Sequence, residues 1–456
     1  MTGEAVFPRN FLKRYPRAAR GEGCFVQTVD GRRYLDASGG AAVVTIGHGV
    51  EEVGRAMAEQ AARLAYVHSS QFHTEAVEKL AERILALAPK GMRPGGRVYF
   101  TTGGSEATET ALKLARQYWI EIGQPKRWRV VSRAQSYHGS TLGALGVSGH
   151  VRRREPFAPM MPDWGRIPPC YCYRCPLGLR YPECNVDCAD ELDRLLDRDG
   201  TEDVAAFIFE PVSGATLGAV APPEGYVQRL VEICRRRGIL LIADEVMTGM
   251  GRTGKIFAVE HWDATPDMIL LGKGLASGYA PLGAVIAAGH VADAISRGTG
   301  SFLHGFTYDA HPVAAAAGNA VLDYLEREKL FKRVEPAGRE LRAALEPLKR
   351  FSVVGDVRGM GLLCGVELVR DAKTREPFPP DARVALRVQE DALEAGVMTY
   401  PIQGCADGMR GDHILLAPPF VISSREIHLL ADGLERAIGD VERTHQASLG
   451  GSAAIR

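Results

Sequence analysis

Residues 239–254 read ILLIADEVMTGMGRTG, an apolar run that ends at Asp244 and Glu245 and passes into a glycine-rich turn. Two more apolar runs, at 204–209 and 268–271, also end beside polar residues. Runs of this length are typical of strands buried on both faces, and amphipathic segments such as 224–238 indicate helices between them. The pattern predicts an α/β fold in which a mostly parallel sheet is flanked by helices and the polar residues at the strand ends share one site.

The C-terminal part of the chain has a different pattern, which indicates a smaller α+β domain. Residues 354–368 predict a pair of strands, with helical periodicity before and after them. We predict an N-terminal segment over 1–60 that associates with the small domain, a large domain over 61–325 and the small C-terminal domain over 326–456.

The composition excludes several classes of partner. The 456 residues include 55 Lys plus Arg and 55 Asp plus Glu, so the chain lacks the positive charge typical of a nucleic-acid-binding protein. No apolar run is long enough to span a bilayer, and the N-terminal residues do not read as a signal peptide. We therefore expect a cytoplasmic protein whose partners are small molecules, with no nucleic acid and no membrane.

A glycine-rich turn at residues 100–107, FTTGGSEA, leads from a predicted strand into a predicted helix. Gly104 lets the backbone approach a ligand closely, and the helix N-terminus and the Ser105 hydroxyl offer hydrogen-bond donors to an anion. These features predict a phosphate-binding turn. A structural turn with a serine N-cap explains the motif equally well when it is taken alone.

Asp244 and Lys273 also follow apolar runs. A buried carboxylate needs a cationic partner, and the protonated ring nitrogen of a bound heterocycle would be one, although a solvated strand-end acid is the simpler interpretation of Asp244. Lys273 lies between Gly272 and Gly274, where burial would lower its pKa and leave an amine able to form a Schiff base. A surface loop lysine is the alternative. In SYHGST, at 136–141, Tyr137 could stack on a flat ring or be an ordinary loop aromatic.

The order of these motifs, with EPVSG at 210–214 between them, resembles that of class III aminotransferases. These are the ω-aminotransferase group of pyridoxal-phosphate (PLP) enzymes of fold type I. The block DEVMTGMGRTG together with the GKGL lysine is the most specific part, and the resemblance extends from about residue 20 to about residue 440. The resemblance implies PLP fold type I for the large domain, with PLP carried by Lys273 as a Schiff base.

The resemblance also implies roles for the other cofactor residues. Asp244 would bind the pyridine nitrogen and keep it protonated, so that the ring accepts electrons. The remaining implied contacts are Gly104 and Ser105 to the phosphate, Tyr137 on one ring face with His138 beside it, Val246 on the other face, Glu210 at the ring edge, and Thr307.

Thr307 lies in HGFTYDAHP, at 304–312, which resembles the segment that crosses the dimer interface in this family. The resemblance implies that Thr307 donates to the phosphate bound in the other subunit. The active site would then be complete only in a homodimer.

The implied reaction moves an amino group from an amine or ω-amino acid to an oxo acid, with pyruvate as the expected acceptor and ping-pong kinetics. Aminomutases, epimerases and decarboxylases of the same fold are alternatives, because their cofactor residues are alike. A more distant alternative is a nicotinamide-dependent oxidoreductase, since Gly249, Gly251 and Gly254 match G-x-G-x-x-G. That fingerprint requires a helix that opens inside the motif, which this sequence does not predict.

Substrate recognition is least defined by the sequence. Many relatives carry an arginine before a Gly-Asp near the APP motif, and Arg410 precedes Gly411 and Asp412 here. Arg410 could bind a substrate carboxylate bidentately, or be a solvated loop residue, since the loop is longer than usual.

Five cysteines lie between 170 and 188. The spacing of Cys172, Cys175, Cys184 and Cys188 suits zinc or an iron–sulfur centre, and a small insertion packed by its thiols is the alternative.

Overall fold

The computed structural model describes the backbone of residues 5–453 and the side chains of residues 5–447. The ends of the predicted terminal units, residues 1–4 and 454–456, lie outside the described residues. In chain order the strands are β1 (Ala18–Glu22), β2 (Phe25–Thr28), β3 (Arg33–Asp36), β4 (Arg97–Thr101), β5 (Arg129–Arg133), β6 (Arg166–Ile167), β7 (Val204–Phe209), β8 (Leu240–Asp244), β9 (Met268–Leu271), β10 (Gly283–Ala287), β11 (Val354–Met360), β12 (Leu363–Leu368), β13 (Val397–Met398), β14 (Tyr400–Gln403) and β15 (Asp412–Leu416).

Helices connect most of these strands, and short 3₁₀ turns complete the connections. Within residues 5–453, no helix combines the length and the apolar character that crossing a bilayer requires. The helices are α1 (Gly39–Ala42), α2 (Glu51–Arg63), α3 (Glu75–Leu87), α4 (Gly104–Glu121), α5 (Leu142–Val147), α6 (Val151–Arg154), α7 (Asp187–Asp199), α8 (Tyr226–Arg237), α9 (Gly289–Arg297), α10 (Pro312–Arg327), α11 (Leu330–Leu345), α12 (Val384–Glu394) and α13 (Ser424–Ala453).

A seven-stranded sheet with the order β4-β10-β9-β8-β7-β5-β6 forms the centre of the large domain. The pairs from β9 across to β6 are parallel, whereas β10 is antiparallel to both β9 and β4. Every residue of β7, β8 and β9 is buried, as expected for strands covered by helices on both faces. The predicted α/β class with a mostly parallel sheet is therefore confirmed.

The parallel register brings the carboxyl ends of β7, β8 and β9 to one edge of this sheet. Glu210 directly follows β7, Asp244 ends β8, and Lys273 is the second residue after β9. Strand β4 runs in the same direction as β9, because both are antiparallel to β10, so α4 also begins at this edge. The edge thus gathers polar residues that are far apart in sequence.

The small domain contains an antiparallel sheet with the order β11-β12-β15-β14, against which α11 and α12 pack, and α13 packs on these two helices. The N-terminal strands form a separate sheet, β1-β2-β3-β13, in which β3 pairs in parallel with β13. Residues near the N-terminus therefore share a sheet with residues 397–398. Where the chain divides into independent domains stays a prediction.

Arg252, in the turn after β8, ties these parts of the chain together. Its side chain is buried, and its guanidinium donates to the carbonyls of Val44 (3.1 Å), Leu362 (3.1 Å) and Pro418 (2.6 Å). It also lies 4.7 Å from the ring centroid of Phe420. The three carbonyls belong to the N-terminal segment and to two parts of the small domain, so one side chain links both to the large domain.

We expect Arg252→Met to lower the free energy of unfolding by about 3 kcal/mol, because buried carbonyls would lose their donor. Chemical denaturation or the thermal midpoint measures this change. The control is Arg297→Met on α9, whose side chain is 82% exposed and pairs only with Asp293. Equal effects of the two substitutions would contradict the linking role of Arg252.

Candidate active site

A pocket of about 170 Å³ lies at the carboxyl edge of the large sheet. It is walled by residues that follow β4, β5, β7, β8 and β9, so five separate chain segments contribute to it. The lining residues are Gly104, Ser105, Tyr137, His138, Gly139, Glu210, Val212, Ala215, Asp244, Val246, Met247, Thr248 and Lys273.

Lys273 occupies a 3₁₀ turn after β9 and has a positive φ of 42°, which non-glycine residues adopt rarely. Within residues 5–447 its amine has no hydrogen bond and no ion pair, although Asp244 and Glu210 act on it electrostatically. Burial lowers the pKa of Lys273 to about 8, and the two carboxylates oppose that shift. The residue therefore presents an amine that loses its proton close to neutral pH.

Asp244 is buried at the end of β8, and both of its carboxylate oxygens are bound. One oxygen lies 2.8 Å from Nδ1 of His138, and the other accepts the backbone N–H of Val246 at 3.0 Å. The other ring nitrogen of the buried His138, Nε2, has no partner in the described structure. Asp244 thus points a fixed negative charge into the pocket.

Glu210 follows β7 and is also buried. Its carboxylate accepts the backbone N–H groups of Tyr137 (3.2 Å) and Gly214 (3.0 Å). Burial raises its pKa, and the nearby Asp244 raises it further, whereas His138 opposes the shift. The acid therefore fixes the backbone that carries Tyr137.

The turn before α4 has the form of an anion site. The first N–H groups of the helix have no intrahelical acceptors, and Oγ of Ser105 accepts the N–H of Ser140 at 3.0 Å, which leaves its hydroxyl hydrogen available. A Cβ on Gly104 would lie 2.7 Å from Cγ1 of Val246, so only glycine fits. The backbone can therefore approach a ligand at this point.

PLP requires three kinds of protein group. Its aldehyde needs an amine, its ring nitrogen needs a carboxylate, and its phosphate needs N–H donors. Lys273, Asp244 and the α4 turn offer these groups in one pocket, and within residues 5–447 the amine of Lys273 has no protein partner. The residues fit the cofactor. The fold and this site together define a PLP-dependent enzyme of fold type I.

Comparison with known proteins identifies the family. Residues 9–438 match the family model of class III aminotransferases. An uncharacterized aminotransferase of Bacillus subtilis is 40% identical over 431 residues, which cover 94% of this chain and 96% of that protein. An ω-aminotransferase of Caulobacter vibrioides is 34% identical over 444 residues and covers 95% and 96%.

A solved structure leads to the same conclusion. An amine transaminase from an uncultivated Pseudomonas species, solved in its PLP-bound form, is 37% identical and has a TM-score of 0.89 over 96% of this chain and 98% of that chain. This chain belongs to the class III aminotransferase family, whose members are PLP-dependent transaminases.

The pocket brings together every cofactor residue that we predicted from the sequence except Thr307. Their individual roles stay predictions. Thr307 is exposed outside the pocket, and its carbonyl accepts the hydroxyl of Tyr66 at 2.7 Å.

Arg410 lies outside the pocket lining, and its contact with a substrate carboxylate stays a prediction. Its Nε donates to the Asp407 carboxylate at 2.6 Å within the same loop, and its side chain is 58% exposed. The sequence prediction identified Arg410 from the Gly411-Asp412 pair that follows it. In the structure, the guanidinium of Arg410 pairs with Asp407 of the same loop.

The turn at 249–254 does not form a dinucleotide site. Strand β8 ends at Asp244, and the next helical element is a short 3₁₀ turn over Ala258–Trp262. No helix opens inside the glycine motif, and Arg252 in its centre is buried against the small domain. The nicotinamide alternative therefore lacks its structural requirement.

The cysteine insert lies between β6 and α7. Cys172, Cys175, Cys184 and Cys188 line one cavity of about 10 Å³, and all are free thiols. Among the residues that the structure describes, no group of three or more His, Cys, Asp or Glu side chains is arranged to hold a metal ion. Burial raises the pKa of Cys172 to about 11, which favours the neutral thiol. Whether these thiols hold a metal or pack the insert stays a prediction.

Sequence reasoning missed several lining residues, which are Gly139, Val212, Ala215, Met247 and Thr248. Gly139 and Met247 directly follow predicted site residues, and Val212 and Thr248 lie two positions after one, so proximity in sequence could have indicated these four. Ala215 had no such signal. It lies in the loop after β7, and the turn of this loop over 213–220 carries it to the pocket wall.

We expect a pKa near 8 for Lys273 in PLP-free protein, with the amine protonated below that pH and free above it. Asp244→Asn should lower the pKa further, because the carboxylate favours the protonated form. Reductive ¹³C-methylation followed by NMR titration measures it.

The control for this titration is Asp263→Asn. Asp263 is exposed and is not among the groups that act on Lys273, so this substitution should leave the pKa in place. An upward shift in Asp244→Asn would show that the carboxylate does not face the amine.

Proposed function

We propose that this transaminase takes the amino group from an amine or ω-amino acid and delivers it to an oxo acid, with pyruvate as acceptor, in a ping-pong reaction. The observation that carries the proposal is the pairing in one pocket of an unpartnered lysine amine with a buried, fixed carboxylate. When bound, PLP supplies an aldehyde that takes up the amino group and a ring that accepts negative charge from the adjacent carbon.

The amine of Lys273 is the proton carrier in this scheme. Because its pKa is about 8, part of the amine is unprotonated at neutral pH. Nζ can therefore accept a proton from the substrate carbon and return it. Asp244 would hold a proton on the ring nitrogen, and the bonds from His138 and the Val246 N–H keep its carboxylate in place. The α4 N-terminus and Ser105 would bind the phosphate.

The single amine of the pocket lining supports ping-pong kinetics. Lys273 is the one lysine among the lining residues, so donor and acceptor would react in turn at the same point. The first product would leave before the second substrate enters, which is the ping-pong order.

The relatives support the class of donor. One is named an ω-aminotransferase and another an amine transaminase, so we extend amines and ω-amino acids to this chain as a proposal. Pyruvate as acceptor and the cytoplasmic location stay predictions from the sequence.

A panel of amines and ω-amino acids with pyruvate, read out as alanine formed, tests the reaction. We expect alanine from at least one donor and parallel double-reciprocal plots. Lys273→Ala should abolish alanine formation, because the only amine in the pocket lining is removed.

The control is Lys349→Ala, an exposed lysine that pairs with Glu346 and should behave as the wild type. Product formation from an amino substrate without any oxo acid would contradict transamination and favour an aminomutase, epimerase or decarboxylase.

We also propose that the active site is completed in a homodimer, with Thr307 donated by the second subunit. A groove lined by apolar residues such as Leu112, Ile120 and Trp128 runs beside the segment that contains Thr307. Leu303, directly before that segment, lines the groove and is 75% exposed, and large exposed apolar surface is typical of a protein interface.

Mixed dimers test this arrangement. Thr307→Glu should inactivate the enzyme by placing a carboxylate against the phosphate, and Lys273→Ala is inactive by loss of the amine. Combining the two in equal amounts should restore up to about one quarter of the wild-type activity, because half of the dimers then hold one intact site. If Thr307 served its own subunit, no site would be intact and no activity would return.

A further inference from the structure

Arg153, on α6, is a cation beside the pocket that has no acidic partner. Its guanidinium carbon lies 4.6 Å from the ring centroid of Tyr137, which lines the pocket, and the side chain is partly exposed. Within residues 5–447, its guanidinium makes no hydrogen bond and no ion pair. The cation–π contact is therefore the interaction that holds it at this position.

Most neighbouring arginines are already engaged by protein acceptors. Within residues 5–447 the side chain of Arg154 also lacks an acceptor, but its Nε is buried and its charge is not among those that act on Lys273. Arg152 donates to the side-chain oxygen of Gln403 at 2.7 Å, and Arg166 donates to the Asp163 carboxylate at 3.0 Å. Arg410, the arginine that the sequence favoured for substrate binding, is paired with Asp407. Arg153 differs because its five N–H donors remain available to a ligand.

The charge of Arg153 also reaches the reactive amine. Burial is the main cause of the lowered pKa of Lys273, and the positive charge of Arg153 adds to it. The pocket carboxylates cannot neutralise Arg153, because Asp244 is bound to His138 and Glu210 to backbone N–H groups. Arg153 is not itself among the residues that line the pocket, but its contact with Tyr137 and its effect on Lys273 place an unbalanced positive charge close to the reactive amine.

We propose that Arg153 binds the carboxylate of the substrate, either that of an ω-amino acid donor or that of the oxo acid acceptor. This inference rests on the proposed transaminase function and names the substrate class of the same site. A guanidinium binds a carboxylate through two parallel hydrogen bonds, and a partly buried location strengthens them. The enzyme would then prefer substrates that carry a carboxylate over neutral amines and aldehydes of the same length.

Kinetics with matched substrates test the role. 4-Aminobutanoate is compared with butylamine as donor, and 4-oxobutanoate with butanal as acceptor. Arg153→Gln should raise KM about 10- to 100-fold for the carboxylate member of each pair and leave the neutral member within about twofold. Arg153→Lys should recover part of the loss, since it keeps the charge and loses the bidentate geometry. Arg152→Gln is the control and should match the wild type.

A binding measurement gives a readout that is independent of turnover. Calorimetric titration of the PLP-loaded protein with butanoate should show a Kd that rises about 10- to 100-fold in Arg153→Gln. If Arg153→Gln impaired charged and neutral substrates equally, it would serve only to position Tyr137, and the proposal would be overturned. A selective loss in Arg410→Gln with none in Arg153→Gln would also overturn it.

The two proposals can fail separately. If no donor yields alanine but butanoate affinity still depends on Arg153, the carboxylate subsite stands and the proposed reaction fails. If alanine is formed and Arg153→Gln discriminates no substrate pair, the reaction stands and the subsite fails.

Discussion

The site depends on one electrostatic constraint, which is that a lysine amine and two carboxylates share a poorly solvated edge of a sheet. Burial disfavours the charged form of each group, so the pKa of Lys273 falls and that of Glu210 rises. The buried carboxylates of Asp244 and Glu210 are stabilised because each accepts hydrogen bonds from protein donors. Among the residues whose side chains the structure describes, the lysine has no such partner, which leaves its amine free for chemistry with an aldehyde.

The rest of the fold maintains this arrangement. Fully buried strands β7, β8 and β9 hold the three residues at adjacent positions of one sheet edge, where a change in register would turn side chains to the other face. Arg252 connects the turn after β8 to the N-terminal segment and the small domain. The cysteine insert is connected in a similar way, since Arg174 donates to the buried Glu367 of β12 at 2.6 Å.

Sequence reasoning succeeded for residues that follow strongly patterned strands. Asp244 and Lys273 could be placed together because parallel strands end at a common edge, and Gly104 because a strand, glycines and a helix follow one another. Loop residues carry no such periodic signal. Arg410 was chosen by its neighbours in sequence, yet its loop folds back so that Asp407 takes the charge. The four cysteines have the spacing of metal ligands, but spacing does not define where the sulfur atoms point.

The sequence by itself determined the fold class, the family and the set of residues at the strand ends, because periodicity and local motifs encode strands and turns. Tertiary structure decided which charged groups are satisfied and which remain free. Arg152, Arg153 and Arg410 are the same residue type and cannot be distinguished by sequence alone. Only the folded structure shows that Arg152 and Arg410 donate to protein acceptors, whereas Arg153 lies over the ring of Tyr137. The availability of a cation depends on acceptors contributed by distant segments, and those contacts exist only once the chain has folded.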